Sequence, residues 1–139
     1  MIKTQGFLHI TIGVTDLDRA TAFYRDFLGC ELIRQNSKKT MSFMRTGDDL
    51  FVLTHTGVHQ RPNQVGPVNI DTTLFHHAFL VSPEQYDAAI AHFKANGIEH
   101  FDCTPHGHTT FPGRRHTYIM DPDGNSVELA TTTPDSKAG

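Results

Sequence analysis

Tryptophan is missing from this chain of 139 residues, and cysteine occurs only twice, at Cys30 and Cys103. Two cysteines build neither a disulfide framework nor a cysteine-based zinc site, so a reducing cytoplasm is the expected location. No excess of positive charge is present: 12 Lys and Arg face 15 Asp and Glu, for a net charge of −3. That removes the basic footprint nucleic-acid binding requires. No apolar run approaches the ~20 residues of a membrane-spanning helix. The opening "MIKTQGFLHI" lacks the apolar core of a signal peptide. Neither nucleic acid nor membrane is therefore an expected partner. The 37% hydrophobic content suits a soluble globular domain.

What the chain has in excess is histidine, with ten residues. Imidazole is the commonest metal ligand and titrates near neutrality. His59, His92 and His100 read as surface or loop residues. His9 and His76 do not, because each sits in a β-type run, "FLHITIGV" and "LFHHAFLV".

Those runs open an internal repeat. Laying Phe7–Gly29 over Phe75–Gly97 places His9 on His76 at an offset of 67 and Gly29 on Gly97 at an offset of 68. Each stretch predicts a strand followed by a helix. Leu17, Ala20, Phe23, Tyr24, Phe27 and Leu28 recur at helical spacing, with Asp16 or Thr15 as cap and Gly29 as stop. In the second helix Ser82 is the N-cap, Pro83 takes the first position, and Gly97 terminates. Three strand-like runs follow each helix: "CELIRQ", "MSFMRTG" and "DLFVLTHT", then "IEHFDC", "HTYIMD" and "NSVELATT". The turn "DPDGN" joins the last two. The plan is an α+β domain over 1–139 with two βαβββ modules, about 5–56 and 73–133. The expectation is curved mixed sheets around a metal-containing cleft, with helices outside. Residues 56–73 and 104–115, rich in Pro, Gly, Thr and His, read as loops over the opening.

Side chains alternate across a strand. Ile10, Ile12 and Val14 belong under the first helix, which turns His9, Thr11 and Gly13 the other way. His77, Phe79 and Val81 belong under the second helix, which turns His76 to the concave face. Val127 and Leu129 form the apolar side of the last strand, so Glu128 projects oppositely, with Ser126 and Ala130. Tyr118 and His116 share a face, assigned to the cleft. A buried carboxylate is costly unless paired or metal-bound. Two histidines with one carboxylate leave coordination positions open, as in non-haem Fe(II) oxygenases. The bland alternative is a pair of backbone-bonded core histidines with Glu128 at a sheet edge. Matching "FVL" (51–53) to "VEL" (127–129) sets Val52 opposite Glu128, so only one half carries a carboxylate.

The segments "HITIGVTDLDRATAFYRDFLGCEL", "HHAFLV" and "YIMDPDGNSVEL" resemble the vicinal oxygen chelate superfamily over about Phe7 to Thr131. That group includes glyoxalase I, extradiol dioxygenases, fosfomycin-modifying thiol transferases, methylmalonyl-CoA epimerase and bleomycin-binding proteins. The resemblance implies His9, His76 and Glu128 as metal ligands. It also implies a homodimer, in which the first-strand histidine completes a site made by the other chain's second half. Val52 departs from the fourth carboxylate of glyoxalase I-like members. Tyr118 stands ten residues before Glu128, as a tyrosine does in the ring-cleaving enzymes.

The leading expectation is thus an extradiol-dioxygenase-like enzyme holding Fe(II), with Mn(II), Zn(II) or Ni(II) as other metals. Its small substrate would chelate the metal through neighbouring oxygens. Tyr118 would hydrogen-bond that substrate. His106, His108 or His116 would supply acid–base chemistry, with His55 a weaker candidate. Thr11, Val52 and Arg115 are candidates for contacting substrate, and Arg114 for binding an anion. Two alternatives stand beside it: a thiol transferase of the fosfomycin-resistance type, and a non-catalytic ligand-binding dimer of the bleomycin-resistance type.

Overall fold

The first repeat begins with strand β1 (Ile10–Val14), whose Ile12 and Val14 are buried while Thr11 and Gly13 are not. Helix α1 (Leu17–Ala22) starts at Asp16, whose carboxylate accepts the Arg19 N–H at 2.9 Å. That contact satisfies one of the helix's orphan donors. Sequence spacing predicts one continuous α-helix to Gly29. The structure instead widens its second half into a π-helical turn, Phe23–Phe27, in which the Leu28 N–H donates to the Phe23 carbonyl. Tyr24 is thereby fully buried against Phe51, and Phe23 stacks on Phe27. Strands β2 (Glu31–Gln35), β3 (Met41–Thr46) and β4 (Asp49–His55) follow.

The second repeat has the same order: β5 (His76–Leu80), α2 (Pro83–Asn96), β6 (Phe101–Cys103), β7 (Arg115–Met120) and β8 (Ser126–Thr131). Residues 1–56, 75–103 and 115–131 are described in this computed structural model. The chain divides into two compact units, Met1–Gln60 and Arg61–Gly139.

Each unit holds one four-stranded mixed sheet, in the orders β1-β4-β3-β2 and β5-β8-β7-β6. In both, the first strand pairs parallel to the last and the remaining pairs are antiparallel. The βαβββ expectation therefore holds in each half. A strand–helix–strand connection must cross over and cannot close as a hairpin, which is why the first and last strands of each module run parallel.

In the first unit the helix-side layer is built from Ile12, Val14, Met44, Leu53 and Tyr24, all buried. A polar contact lies within it: the hydroxyls of Thr21 on α1 and Ser42 on β3 are 2.8 Å apart. In the second unit Tyr86 and Phe93 of α2 are buried, as are Phe79, Ile119, Val127 and Leu129 of the sheet. Helix α2 is capped by Ser82 and ends on Gly97 at φ 63. The Ile98 N–H returns to the Phe93 carbonyl at 2.9 Å, so the chain is still closing the helix where the sequence predicts the strand "IEHFDC" to begin. Strand β6 is accordingly shorter, Phe101–Cys103.

The β7–β8 turn is held from inside. One oxygen of Asp121 accepts the N–H groups of Asp123 and Asn125, and the other accepts the Asn125 amide. Gly124 supplies the positive φ of 74 that the turn needs. With the turn set, Tyr118 lies directly opposite Glu128.

Candidate metal centre

Strands β5, β8 and β7 are neighbours, and their register brings the second repeat's chemistry together. His76 pairs with Ser126, Ala78 with Glu128, and Tyr118 with Glu128. Residues directly opposite in a ladder share a face, and so do alternate residues along each strand. His76, Ser126, Glu128, His116 and Tyr118 therefore lie on one side of this sheet.

On that side His76 Nε2 stands 2.8 Å from Glu128 Oε2. The Glu128 side chain is 2% exposed and that of His76 30%. The carboxylate is thus sunk in the sheet while the imidazole reaches outward over it. The Tyr118 ring meets His76 edge-on at 5.1 Å between centroids. His116 meets the same tyrosine edge-on at 5.6 Å. Tyr118 is buried and His116 half-buried.

The neighbouring histidine behaves differently. His77 faces the helix side, against Phe79. Burial, with a smaller contribution from the His76 charge, pushes its imidazole down to about 4. The two consecutive histidines thus take opposite faces, His76 beside Glu128 and His77 beside Phe79, as alternation predicts.

An imidazole nitrogen and a buried carboxylate oxygen in contact, on adjacent rigid strands, form a donor set that fits a divalent first-row metal. The cation would neutralise the buried charge. His76 and Glu128 are thus the described residues that would hold it. Among the described residues no three His, Cys, Asp or Glu side chains converge on a single point. His9, the third expected ligand, belongs to the first unit, where it immediately precedes β1 and is exposed.

The other expected site residues divide as follows. Thr11 is exposed and pairs in register with Val52, which is buried; both lie on the face away from the Tyr24–Phe51 contact. His55 ends β4 and is exposed. His106, His108 and Arg114 lie outside the described residues. Arg115 departs from its assignment to substrate. It belongs to β7, one residue before His116, so the pleat turns it to the helix side. There its guanidinium donates to Asp87 of α2 at 2.8 Å and lies 4.8 Å above the Tyr86 ring. Sequence reading begins this strand at His116 and leaves Arg115 to the loop. A strand longer by one residue reverses its direction.

A model of the Glyoxalase/Bleomycin resistance protein/Dioxygenase superfamily matches residues 6–129. The glutathione transferase FosA of Serratia marcescens is 28% identical over 126 residues, covering 90% of this chain and 79% of that protein. The metallothiol transferase FosB of Staphylococcus epidermidis (strain ATCC 12228) is likewise 28% identical over 126 residues, covering 90% and 80%. Among solved structures, a mutant of the fosfomycin resistance protein FosX from Listeria monocytogenes, complexed with Mn(II) and 1S,2S-dihydroxypropylphosphonic acid, superposes with a TM-score of 0.70. It is 23% identical and aligns over 97% of this chain and 96% of its own. At that identity the likeness concerns the fold.

Proposed function

Because the chain belongs to the glyoxalase/bleomycin resistance protein/dioxygenase superfamily, we propose that it is a metal-dependent transferase that adds a thiol to a small, oxygen-bearing electrophile of the fosfomycin kind. The supporting observation is the contact between His76 and the buried Glu128, in a chain matched over 90% of its length by curated thiol transferases. Those relatives favour this reading over extradiol ring cleavage, and Mn(II) in the FosX complex favours manganese over iron.

In this reading His76 and Glu128 hold the divalent cation, and His9 of a second copy is the third ligand. The cation supplies Lewis-acid polarisation of a substrate oxygen. The protein's own groups do the rest. Tyr118, packed edge-on against His76, restrains the imidazole plane. His116, on the far side of Tyr118, is the described acid–base residue and accepts the thiol proton. The new bond is S–C, the broken bond is a C–O bond of the electrophile, and the proton leaving sulfur finishes on the released oxygen.

A homodimer belongs to the same proposal. Phe7, Leu8, Phe75 and Leu80 are large apolar side chains left more than half exposed in the single chain.

The test is product formation under nitrogen from fosfomycin and glutathione with added Mn(II), followed by mass spectrometry, beside an oxygen electrode with catechol. A metal-dependent thiol adduct without oxygen uptake is expected. Oxygen uptake with catechol and no adduct would restore ring cleavage. Ligand binding that survives Glu128→Ala, with neither reaction, would leave a binding protein.

A further inference from the structure

Strand β2 carries a bulge. Glu31 and Leu32 pair with Arg45 and Met44, but the next pairs are Arg34 with Phe43 and Gln35 with Ser42, so Ile33 is one residue too many for the ladder. Unbroken pairing beyond Leu32 would set Ile33 against Phe43 and Arg34 against Ser42, whose hydroxyl meets Thr21 of α1. The extra residue shifts the register by one, which moves Arg34 off the helix side and onto the opposite face. Gln35 takes the helix side instead, where its amide donates to the Ser42 hydroxyl at 3.1 Å.

On its face Arg34 is fixed in place but not neutralised. It is exposed, and its guanidinium carbon lies 4.0 Å from the centroid of the half-buried Phe43 ring. Arg25, Arg45 and Arg115 each meet a carboxylate, on Asp26, Glu31 and Asp87. Arg34 meets none among the described residues. A guanidinium held over an aromatic ring keeps its edge N–H groups free for the two oxygens of an anion. Register places Arg34 at the end of one row running straight across the first sheet, Thr11–Val52–Phe43–Arg34. His9 stands two residues before Thr11, and alternation gives it the same face.

Resting on the thiol-transfer reading above, we propose that Arg34 is a specificity-determining residue that binds a carboxylate of the thiol co-substrate, with Phe43 holding the guanidinium. Distance selects the thiol over the electrophile. Lying over Phe43 on β3, the guanidinium is two strand spacings from β1, about 10 Å. An electrophile of fosfomycin size seated at the His9 end of the row is too short to reach it. A thiol tripeptide such as glutathione, at ~3.3–3.6 Å per extended residue, spans about 10 Å. Its sulfur then lies towards His9 and a terminal carboxylate meets Arg34 through two parallel N–H···O bonds.

The experiment titrates the full-length chain with S-methylglutathione in the presence of Mn(II) by calorimetry, which reads the contact without turnover. Arg34→Ala is expected to weaken that binding by about tenfold or more, the effect of losing hydrogen bonds to a charged group. Arg34→Lys keeps the charge but not the planar fork, and recovers only part of the affinity. In the thiol-addition assay the ratio of KM for glutathione to KM for 2-mercaptoethanol, which has no carboxylate, rises by a similar factor in Arg34→Ala. Wild type that does not bind S-methylglutathione, or binds it no better than Arg34→Ala, overturns the proposal. A raised KM for fosfomycin with S-methylglutathione binding intact puts the anion on the electrophile and overturns the assignment to the thiol. Loss of affinity together with a lowered melting temperature, equal in Arg34→Ala and Arg34→Lys, overturns it in favour of a structural role. Arg34-dependent binding of S-methylglutathione without any adduct supports the Arg34 contact and removes the transfer reading alone.

Discussion

Glu128 is the residue on which the site's chemistry converges. Its carboxylate is buried and in contact with the His76 imidazole, so changing its charge while keeping its shape is the sharpest probe. Glu128→Gln is expected to abolish stoichiometric Mn(II) binding and to lower kcat/KM in the thiol-addition assay by at least ~100-fold, the upper range for weakening a metal's support. A variant that keeps both would remove the metal from the mechanism. Cys30 gives a second residue-scale expectation. Burial pushes its thiol up from 9.0 to about 11, against a hydrogen bond with Thr46 that pulls the other way. The thiol of the unfolded chain ionises first. Stability from this group is therefore constant below pH 9 and declines as the pH climbs from 9 towards 11. The loss amounts to about 2–3 kcal/mol. Urea midpoints of wild type and Cys30→Ala across that range should converge as the pH rises. Parallel curves would mean the thiol ionises normally. In the folded protein at about pH 8, Cys30 should also resist alkylation.

At the scale of elements, two devices hold the second sheet and its helix in place. Helix α2 has a serine cap at one end and a left-handed glycine at the other. A Cβ at Gly97 would meet no atom within 4 Å, so Gly97→Ala is penalised by its φ of 63 alone. A loss of about 1 kcal/mol is expected in urea unfolding, with Mn(II) affinity unchanged. The β7–β8 turn differs, because it sets the register that places Tyr118 against Glu128. Asp121→Ala deletes three hydrogen bonds inside that turn. It should cost about 2–4 kcal/mol and weaken Mn(II) binding as well. If stability falls while affinity holds, the register is secured by the strands without the turn.

At the scale of the whole molecule, the two units carry unequal shares of the chemistry. The second holds the His76–Glu128 pair with Tyr118 and His116, whereas the first offers His9 and, in place of a second carboxylate, the buried Val52. A chain with this asymmetry and with Phe7, Leu8, Phe75 and Leu80 exposed is expected to sediment at about twice its 15.5 kDa mass. A monomer at every concentration would rule out a ligand donated between copies. Among the described residues no helix is long and apolar enough to cross a membrane.

The duplicated βαβββ order, the helix caps and the turn are local properties, and residue type with spacing was enough to determine them. The same holds for the shared face of His76 and Glu128, because alternation on a strand is a covalent rule that needs no knowledge of neighbours. Whatever depends on distant groups was decided by the tertiary structure. The apolar spacing of Leu17 to Leu28 fits an α-helix and a π-helical turn equally well; burial of Tyr24 against Phe51 accompanies the wider form. Arg115 has a strong charge and no local signal of its direction, and Asp87 and Tyr86 hold it on the helix side. The 2.8 Å approach of His76 to Glu128 joins residues far apart in the chain. It exists because a crossover connection makes β5 and β8 parallel neighbours, a pairing that only the folded sheet supplies.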